Sequence, residues 1–132
     1  MAVSPVLVDS SYYIRLLREG RDPLRALALT AATQEVAVCG VIRSEVGRGL
    51  RKAYLRQKFC HFWNVTINVA TDNRLWDDVE QTLWELDRSG KTVPLTDAVI
   101  ACCARRIGAV VLTFDLHFKQ FPGLRVISEL QT

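Results

Sequence analysis

Four carboxylates occupy positions at which acidic side chains are suited to chemistry. Asp9 follows the aliphatic run Val6–Val8, and Asp115 follows a valine-rich run. Asp97 lies near the start of an apolar segment, and Glu45 lies on the apolar side of another. No lysine lies among them, so a hard divalent cation such as Mg²⁺ would relieve their repulsion if they met. Such an ion can activate water for attack at phosphorus, which is the chemistry of a metal-dependent nuclease.

The elements expected around these acids place two of them at one edge of a sheet. Short apolar runs alternate with helical patterns, and the predicted strands are 6–8, 36–39, 66–69, 109–112 and 125–127. This alternation predicts an α/β fold with a mainly parallel sheet and right-handed crossovers. Parallel strands end at the same edge of such a sheet, where ligands bind, and Asp9 and Asp115 would both lie there.

Predicted helices carry Asp97 and Glu45. One helix has Thr96 as its N-cap and Gly108 as its C′ residue, so it begins at the same edge of the sheet. A second helical pattern covers residues 41–53, and Glu45 falls within its apolar arc. A carboxylate that faces the core is costly unless it is paired or coordinated, so this position favours a site.

Each acid also has a simpler explanation. Asp9 could cap the helix that follows it, while Asp97 and Asp115 could be a helix-start acid and a turn residue. Glu45 could pair with Arg48, three residues further along its helix. These explanations do not account for the joint occurrence of all four acids.

A basic segment surrounds Glu45. Six cations occur in a predicted helical region whose only acid is Glu45: Arg43, Arg48, Arg51, Lys52, Arg56 and Lys58. Such a patch could hold the phosphates of a polymer that the acidic site itself repels, although a solvated helix face is the alternative. The candidate phosphate contacts are Arg43, Arg48, Arg51 and Lys52.

Length and composition predict a single domain over residues 1–132. The chain has 132 residues, of which 49% are hydrophobic, enough to bury a core. Its apolar runs are too short to cross a membrane and its N-terminal residues lack a signal-peptide pattern, so we expect a cytoplasmic protein. The four cysteines form no Cys-x-x-Cys pair and are expected to be free thiols.

The acidic motifs resemble those of PIN-domain ribonucleases, especially the VapC-type toxins of prokaryotic toxin-antitoxin pairs. The segments that carry the resemblance are Val6–Ser11, the inward Glu45, Leu95–Ala101 and Leu112–Phe118. It covers nearly the whole chain. It implies a three-layer α/β/α sandwich with four or five strands, Mg²⁺ or Mn²⁺ at the acidic site, and endonucleolytic cleavage of RNA.

The resemblance also implies roles for individual residues. The implied catalytic and metal-binding acids are Asp9, Glu45, Asp97 and Asp115. The implied supporting hydroxyls are those of Ser10, Ser11 and Thr113. His117 stands where many members of the family have a further acid, and it could contact phosphate or help to hold a metal. The basic segment would then be an RNA-binding surface.

The family implies an antitoxin protein as partner and a homodimer. Three alternatives remain open: a PIN-like nuclease of RNA processing outside a toxin-antitoxin pair, a receiver-like Mg²⁺-binding module, and a nonenzymatic binding module. A receiver needs a lysine at the end of a late strand. Lys119 is the only lysine after Val110, and it lies in a different kind of segment.

Overall fold

In a computed structural model of the protein, which describes residues 3–130, a parallel sheet lies between layers of helices. The strands within this range are β1 (Val6–Val8), β2 (Val36–Cys39), β3 (Ile67–Val69), β4 (Val110–Leu112) and β5 (Val126–Ile127). Their order is β3-β2-β1-β4-β5, and every neighbouring pair is parallel. The predicted α/β class is therefore confirmed. The order contradicts the receiver-like alternative, because flavodoxin-like sheets have their second strand at an edge.

The helices cover both faces of this sheet. Those within the described range are α1 (Ser10–Arg18), α2 (Pro23–Thr33), α3 (Gly40–Gly47), α4 (Ala53–Asn64), α5 (Asn73–Arg88), α6 (Leu95–Arg106) and a 3₁₀ helix (Leu116–Gln120). With right-handed crossovers, this strand order puts α1 to α4 on one face and α5 with α6 on the other. The implied three-layer sandwich is confirmed. No helix in residues 3–130 is long and apolar enough to cross a membrane.

The central strands form the core, and their ends define where a site can be built. Every residue of β1, β2 and β4 is buried, as expected for apolar strands covered on both faces, whereas the edge strands β3 and β5 are partly exposed. Val8 of β1 is in register with Leu112 of β4. The residues that follow these two strands therefore emerge side by side.

Two details of the predicted helices are wrong. The expected helix over 41–53 is interrupted, because α3 ends at Gly47 and α4 begins at Ala53. Gly47 and Gly49 explain the break, since glycine is a poor helix former. The basic segment consequently does not form one helical face.

The second correction concerns the start of α6. The N-cap is Pro94 and not Thr96, and the Pro94 carbonyl accepts the first helical bond from Ala98 N–H at 3.1 Å. Proline fixes an extended approach to the helix without any side-chain cap, which is why a search for a capping hydroxyl selects the wrong residue.

The cysteines agree with the expectation of free thiols. The four cysteines are free, with Cys39, Cys102 and Cys103 buried and Cys60 half-buried. The predicted domain also includes residues 1–2 and 131–132, which lie outside the described residues.

Candidate active site

Asp9 is fixed at the junction of β1 and α1. Its backbone N–H donates to the Leu112 carbonyl of β4 at 2.9 Å, and it is the N-cap of α1. The residue is 3% exposed, and its Oδ2 accepts hydrogen bonds from Thr113 Oγ1 at 2.8 Å and from Ser11 N–H at 3.3 Å. The helix-capping explanation is thus correct as far as it goes, but it accounts for only one of the donors that hold this buried carboxylate.

A chain of hydroxyls joins Asp9 to the backbone that precedes Asp115. Thr113 has one hydroxyl hydrogen, and it is donated to Asp9. Because Ser11 Oγ lies 3.0 Å from Thr113 Oγ1, Ser11 is the donor in that contact. Asp115 N–H donates to Thr113 Oγ1 at 2.9 Å, and Phe114 N–H donates to Ser11 Oγ at 3.0 Å. These bonds tie the end of β1 to the turn after β4.

Glu45 is held by a hydroxyl and not by a cation. Ser10 Oγ lies 2.8 Å from Glu45 Oε1 and 3.3 Å from Asp9 Oδ1, so its single hydrogen favours Glu45. Among the described residues no ion pair within 4.0 Å joins Glu45 to Arg48, so the simpler explanation for this acid is not supported. The half-buried Glu45 turns toward α1, as its place on the apolar arc predicts.

Asp97 is the carboxylate whose environment satisfies it least. It lies in the first turn of α6, is 8% exposed, and its Oδ2 has no hydrogen-bond partner within residues 3–130. Burial, followed by the carboxylates of Asp115 and Asp9, raises the pKa of Asp97 to about 7, and nearby His117 opposes the rise. Electrostatic repulsion at this point is what a bound cation would remove.

Asp115 and His117 stand against Asp97. Asp115 caps the 3₁₀ helix by accepting from His117 N–H at 2.9 Å. The His117 Nδ1 atom lies 3.1 Å from Asp115 Oδ1 and 3.3 Å from Asp97 Oδ2. The ligand atoms of these three residues all lie within 4.8 Å of one another, and in the described part of the chain they form the group suited to a metal ion.

The four predicted acids share one cleft. It has a volume of about 590 Å³ and its lining includes Asp9, Glu45, Asp97 and Asp115, together with Ser10 and Ser11. Thr113 is buried directly beneath it. The structure thus brings together the acids, the hydroxyls and His117 that the sequence selects.

Two arginines of the cleft were not selected from the sequence. Arg15 and Arg18 of α1 line it, and the Arg15 guanidinium lies 4.3 Å from the centre of the Phe114 ring. The signal was present, because Ser11, Arg15 and Arg18 follow the i, i+4, i+7 spacing of one helical face. Their positive charge lies next to the acids.

The predicted phosphate contacts lie elsewhere. Arg48, Arg51 and Lys52 are exposed in the connection between α3 and α4. Arg43 donates to Asn68 Oδ1 at 3.0 Å and lies over the Trp63 ring. None of these four lines the acidic cleft. An RNA role for them stays a prediction.

The fold and the cleft define an α/β protein with an acidic, metal-competent site at the carboxyl edge of a parallel sheet. The sequence model of the PIN domain matches residues 6–124. The chain therefore belongs to the PIN-domain family, as the resemblance of its motifs indicates.

Solved structures extend this comparison at the level of the fold. The chain is similar to VapBC2 of Rickettsia felis bound to a promoter DNA fragment, with a TM-score of 0.74, 17% identity, and coverage of 93% of this chain and 97% of that one. It is also similar to DNA-bound VapBC of Salmonella typhimurium, with a TM-score of 0.74, 21% identity, and coverage of 95% of this chain and 98% of that one. A third similar structure is VapC20 of Mycobacterium tuberculosis, a sarcin-ricin loop cleaving toxin. Its TM-score is 0.64 and its identity 18%, and the match covers 91% of this chain and 98% of that one. No curated protein sequence matches the chain.

Proposed function

We propose that this protein is a metal-dependent endoribonuclease. One observation carries the proposal: within a PIN-domain chain, four acids line a single cleft, and the buried Asp97 Oδ2 has no hydrogen-bond partner in residues 3–130. A buried carboxylate oxygen without a donor is costly. A divalent cation would satisfy it, and the oxygen and nitrogen ligands beside it fit such an ion.

The residues of the cleft divide the work of such a reaction. Asp97 and Asp115 would hold the cation. When bound, a divalent ion supplies a Lewis acid that polarises the phosphate and lowers the pKa of water for attack at phosphorus. Asp9 and Glu45 are held by hydroxyl donors, so each is oriented before substrate arrives.

RNA must approach a cleft whose acids repel it. Arg15 and Arg18 line the same cleft and can contact the phosphates of a bound RNA. The exposed Arg48, Arg51 and Lys52 could extend this contact along the polymer.

The direct test measures cleavage of labelled RNA by purified protein with Mg²⁺ or Mn²⁺. Cleavage should stop in excess chelator and in the isosteric variants Asp9→Asn and Asp97→Asn. Asp87→Asn, which changes an exposed acid of α5, is the matched control and should keep full activity. Equal cleavage in chelator, or full activity of either cleft variant, would contradict the proposal.

We further propose that the nuclease is the toxin of a toxin-antitoxin pair, acting in the cytoplasm as a homodimer. Support comes from fold neighbours described as VapBC complexes from Rickettsia felis and Salmonella typhimurium. Expression of the chain alone in a bacterial host should arrest growth, and the Asp97→Asn variant should not. The product of a small adjoining gene should restore growth and co-purify, and light scattering should give a dimer mass.

Separate outcomes distinguish this role from RNA processing. Normal growth during expression, combined with metal-dependent cleavage by the same purified protein, would support a processing nuclease and contradict the toxin proposal.

A further inference from the structure

A histidine nitrogen completes the group of atoms around Asp97. His117 Nδ1 lies 3.1 Å from Asp115 Oδ1 and 3.3 Å from Asp97 Oδ2. The backbone that carries the ring is held in place, because His117 N–H donates to Asp115 Oδ1 at 2.9 Å and the next residue, Phe118, is fully buried. The His117 side chain is 48% exposed, so the ring lies at the edge of the site that is open to solvent.

The contact between His117 and Asp97 is close without being a hydrogen bond. Asp97 Oδ2 is buried and has no hydrogen-bond partner among the described residues, although Nδ1 approaches it to 3.3 Å. Two polar atoms that lie 3.3 Å apart with no hydrogen bond between them could both coordinate a third atom. The buried, unpartnered Oδ2 atom therefore indicates a ligand on its own, apart from the number of acids in the cleft.

The spacing fits a common ion. Two ligands at right angles, each about 2.1 Å from an octahedral ion, lie about 3.0 Å apart, and tetrahedral ligands lie slightly further apart. The observed separations of 3.1 and 3.3 Å fall in this range. All three ligand atoms lie within 4.8 Å of one another, so one nitrogen and two carboxylate oxygens could bind one cation.

We infer that His117 Nδ1 is a metal ligand beside Asp97 and Asp115, and that it makes this site select Mn²⁺ over Mg²⁺. The inference rests on the proposed function, because it concerns the cation of the same site. Mg²⁺ favours an all-oxygen shell with several waters, whereas imidazole nitrogen favours first-row transition ions. Replacing one oxygen by nitrogen should weaken Mg²⁺ more than Mn²⁺.

The test uses Mn²⁺ as the probe in electron paramagnetic resonance. Spin-echo modulation should show an imidazole ¹⁴N coupled to Mn²⁺ in the intact protein. His117→Gln should lose this coupling and bind Mn²⁺ about tenfold more weakly or worse. His117→Asp should also lose the coupling but restore an oxygen ligand, so the ratio of the Mg²⁺ to the Mn²⁺ dissociation constant should fall about tenfold. His61→Gln, on α4, removes the other histidine of the chain as a matched control and should change nothing.

The outcomes separate this inference from the proposed function. Mn²⁺ that binds the intact protein and is lost in Asp97→Asn, but shows no imidazole coupling, would overturn the inference and leave the metal-dependent nuclease intact. A ratio of dissociation constants unchanged in His117→Asp would overturn it as well. Intact protein that binds neither ion and cuts RNA in chelator would overturn both. Circular dichroism melting of each variant verifies folding, which the half-exposed side chain of His117 should permit.

Discussion

The two halves of the acidic cleft differ in how the charge of their carboxylates is compensated. In the hydroxyl-bonded half, Asp9 and Glu45 receive short bonds of 2.8 Å from Thr113 and Ser10. In the open half, Asp97 and Asp115 face each other and His117, and Asp97 Oδ2 receives no bond within the described residues. A buried carboxylate must be compensated, so the open half is the part of the cleft that needs something from outside the chain.

The two halves should affect the stability of the folded protein in opposite ways. Donors in the hydroxyl-bonded half stabilise the folded protein whether or not a cation is bound. Repulsion in the open half opposes folding until a cation arrives. Variants of the two halves should thus damage cleavage alike but change the stability of the metal-free protein in opposite directions.

The largest effect is expected from Asp97→Asn and Asp9→Asn compared side by side. Each should reduce RNA cleavage by at least about 100-fold. Substitution of residues that only hydrogen-bond to metal ligands already costs about 10- to 100-fold, and these two acids lie in the cleft itself. In chelator, Asp97→Asn should raise the free energy of unfolding by on the order of 1 kcal/mol, a modest value because the cleft is open to solvent. Asp9→Asn should lower it by about 1–3 kcal/mol, because the new amide meets hydroxyl and N–H donors. Urea unfolding measures both. Shifts of the same sign would remove the distinction between the halves.

Thr113→Val should have the next largest effect. The variant keeps the shape of the side chain but removes the hydroxyl that bonds Asp9, Ser11 and the Asp115 N–H. We expect cleavage to fall about 10- to 100-fold and stability by about 1–3 kcal/mol. Thr82→Val is the matched control, because it removes another buried, hydrogen-bonded hydroxyl, on α5. It should reduce stability without reducing cleavage. Equal cleavage by the two variants would show that Thr113 only supports the fold.

Ser10→Ala is a smaller perturbation of the same half. It removes the 2.8 Å bond to Glu45 and leaves the strongest donor of Asp9 in place. Cleavage should fall about tenfold, at the low end for a supporting residue, with a stability change of about 1 kcal/mol or less. Ser44→Ala, at an exposed position of α3, is the control. A loss as large as that of Thr113→Val would show that Ser10 positions more than Glu45.

The sequence predicts the central strands well for a physical reason. Central strands buried on both faces must be apolar, so Val36–Cys39 is recognisable at its observed limits. Asp9 directly follows such a strand and Asp115 lies three residues past the end of another, which makes both acids stand out. The pattern does not predict the break after Gly47, because Leu50 and Ala53 continue the apolar phase of α3 across the glycines.

The open half could not be derived from spacing. The direction of the His117 ring depends on the 3₁₀ turn that Asp115 caps, and no residue pattern predicts that turn's rotation. The arginines of the cleft do not stand out in the sequence for a different reason, because charges on an exposed helix face usually only meet solvent. Their importance appears once Ser11 fixes which face of α1 meets the site.

The smallest expected effect concerns how RNA reaches the two halves. Arg18 lines the cleft, whereas Arg51 belongs to the exposed α3–α4 connection predicted from sequence. Loss of one phosphate contact should weaken RNA binding about threefold and reduce the slope of log affinity against log salt by about 1. We expect this for Arg18→Gln and a smaller change for Arg51→Gln, measured by fluorescence anisotropy with RNA in chelator so that no cleavage occurs. The reverse ranking would place the main path of the RNA over the connection and reduce Arg18 to a local counter-charge for the acids.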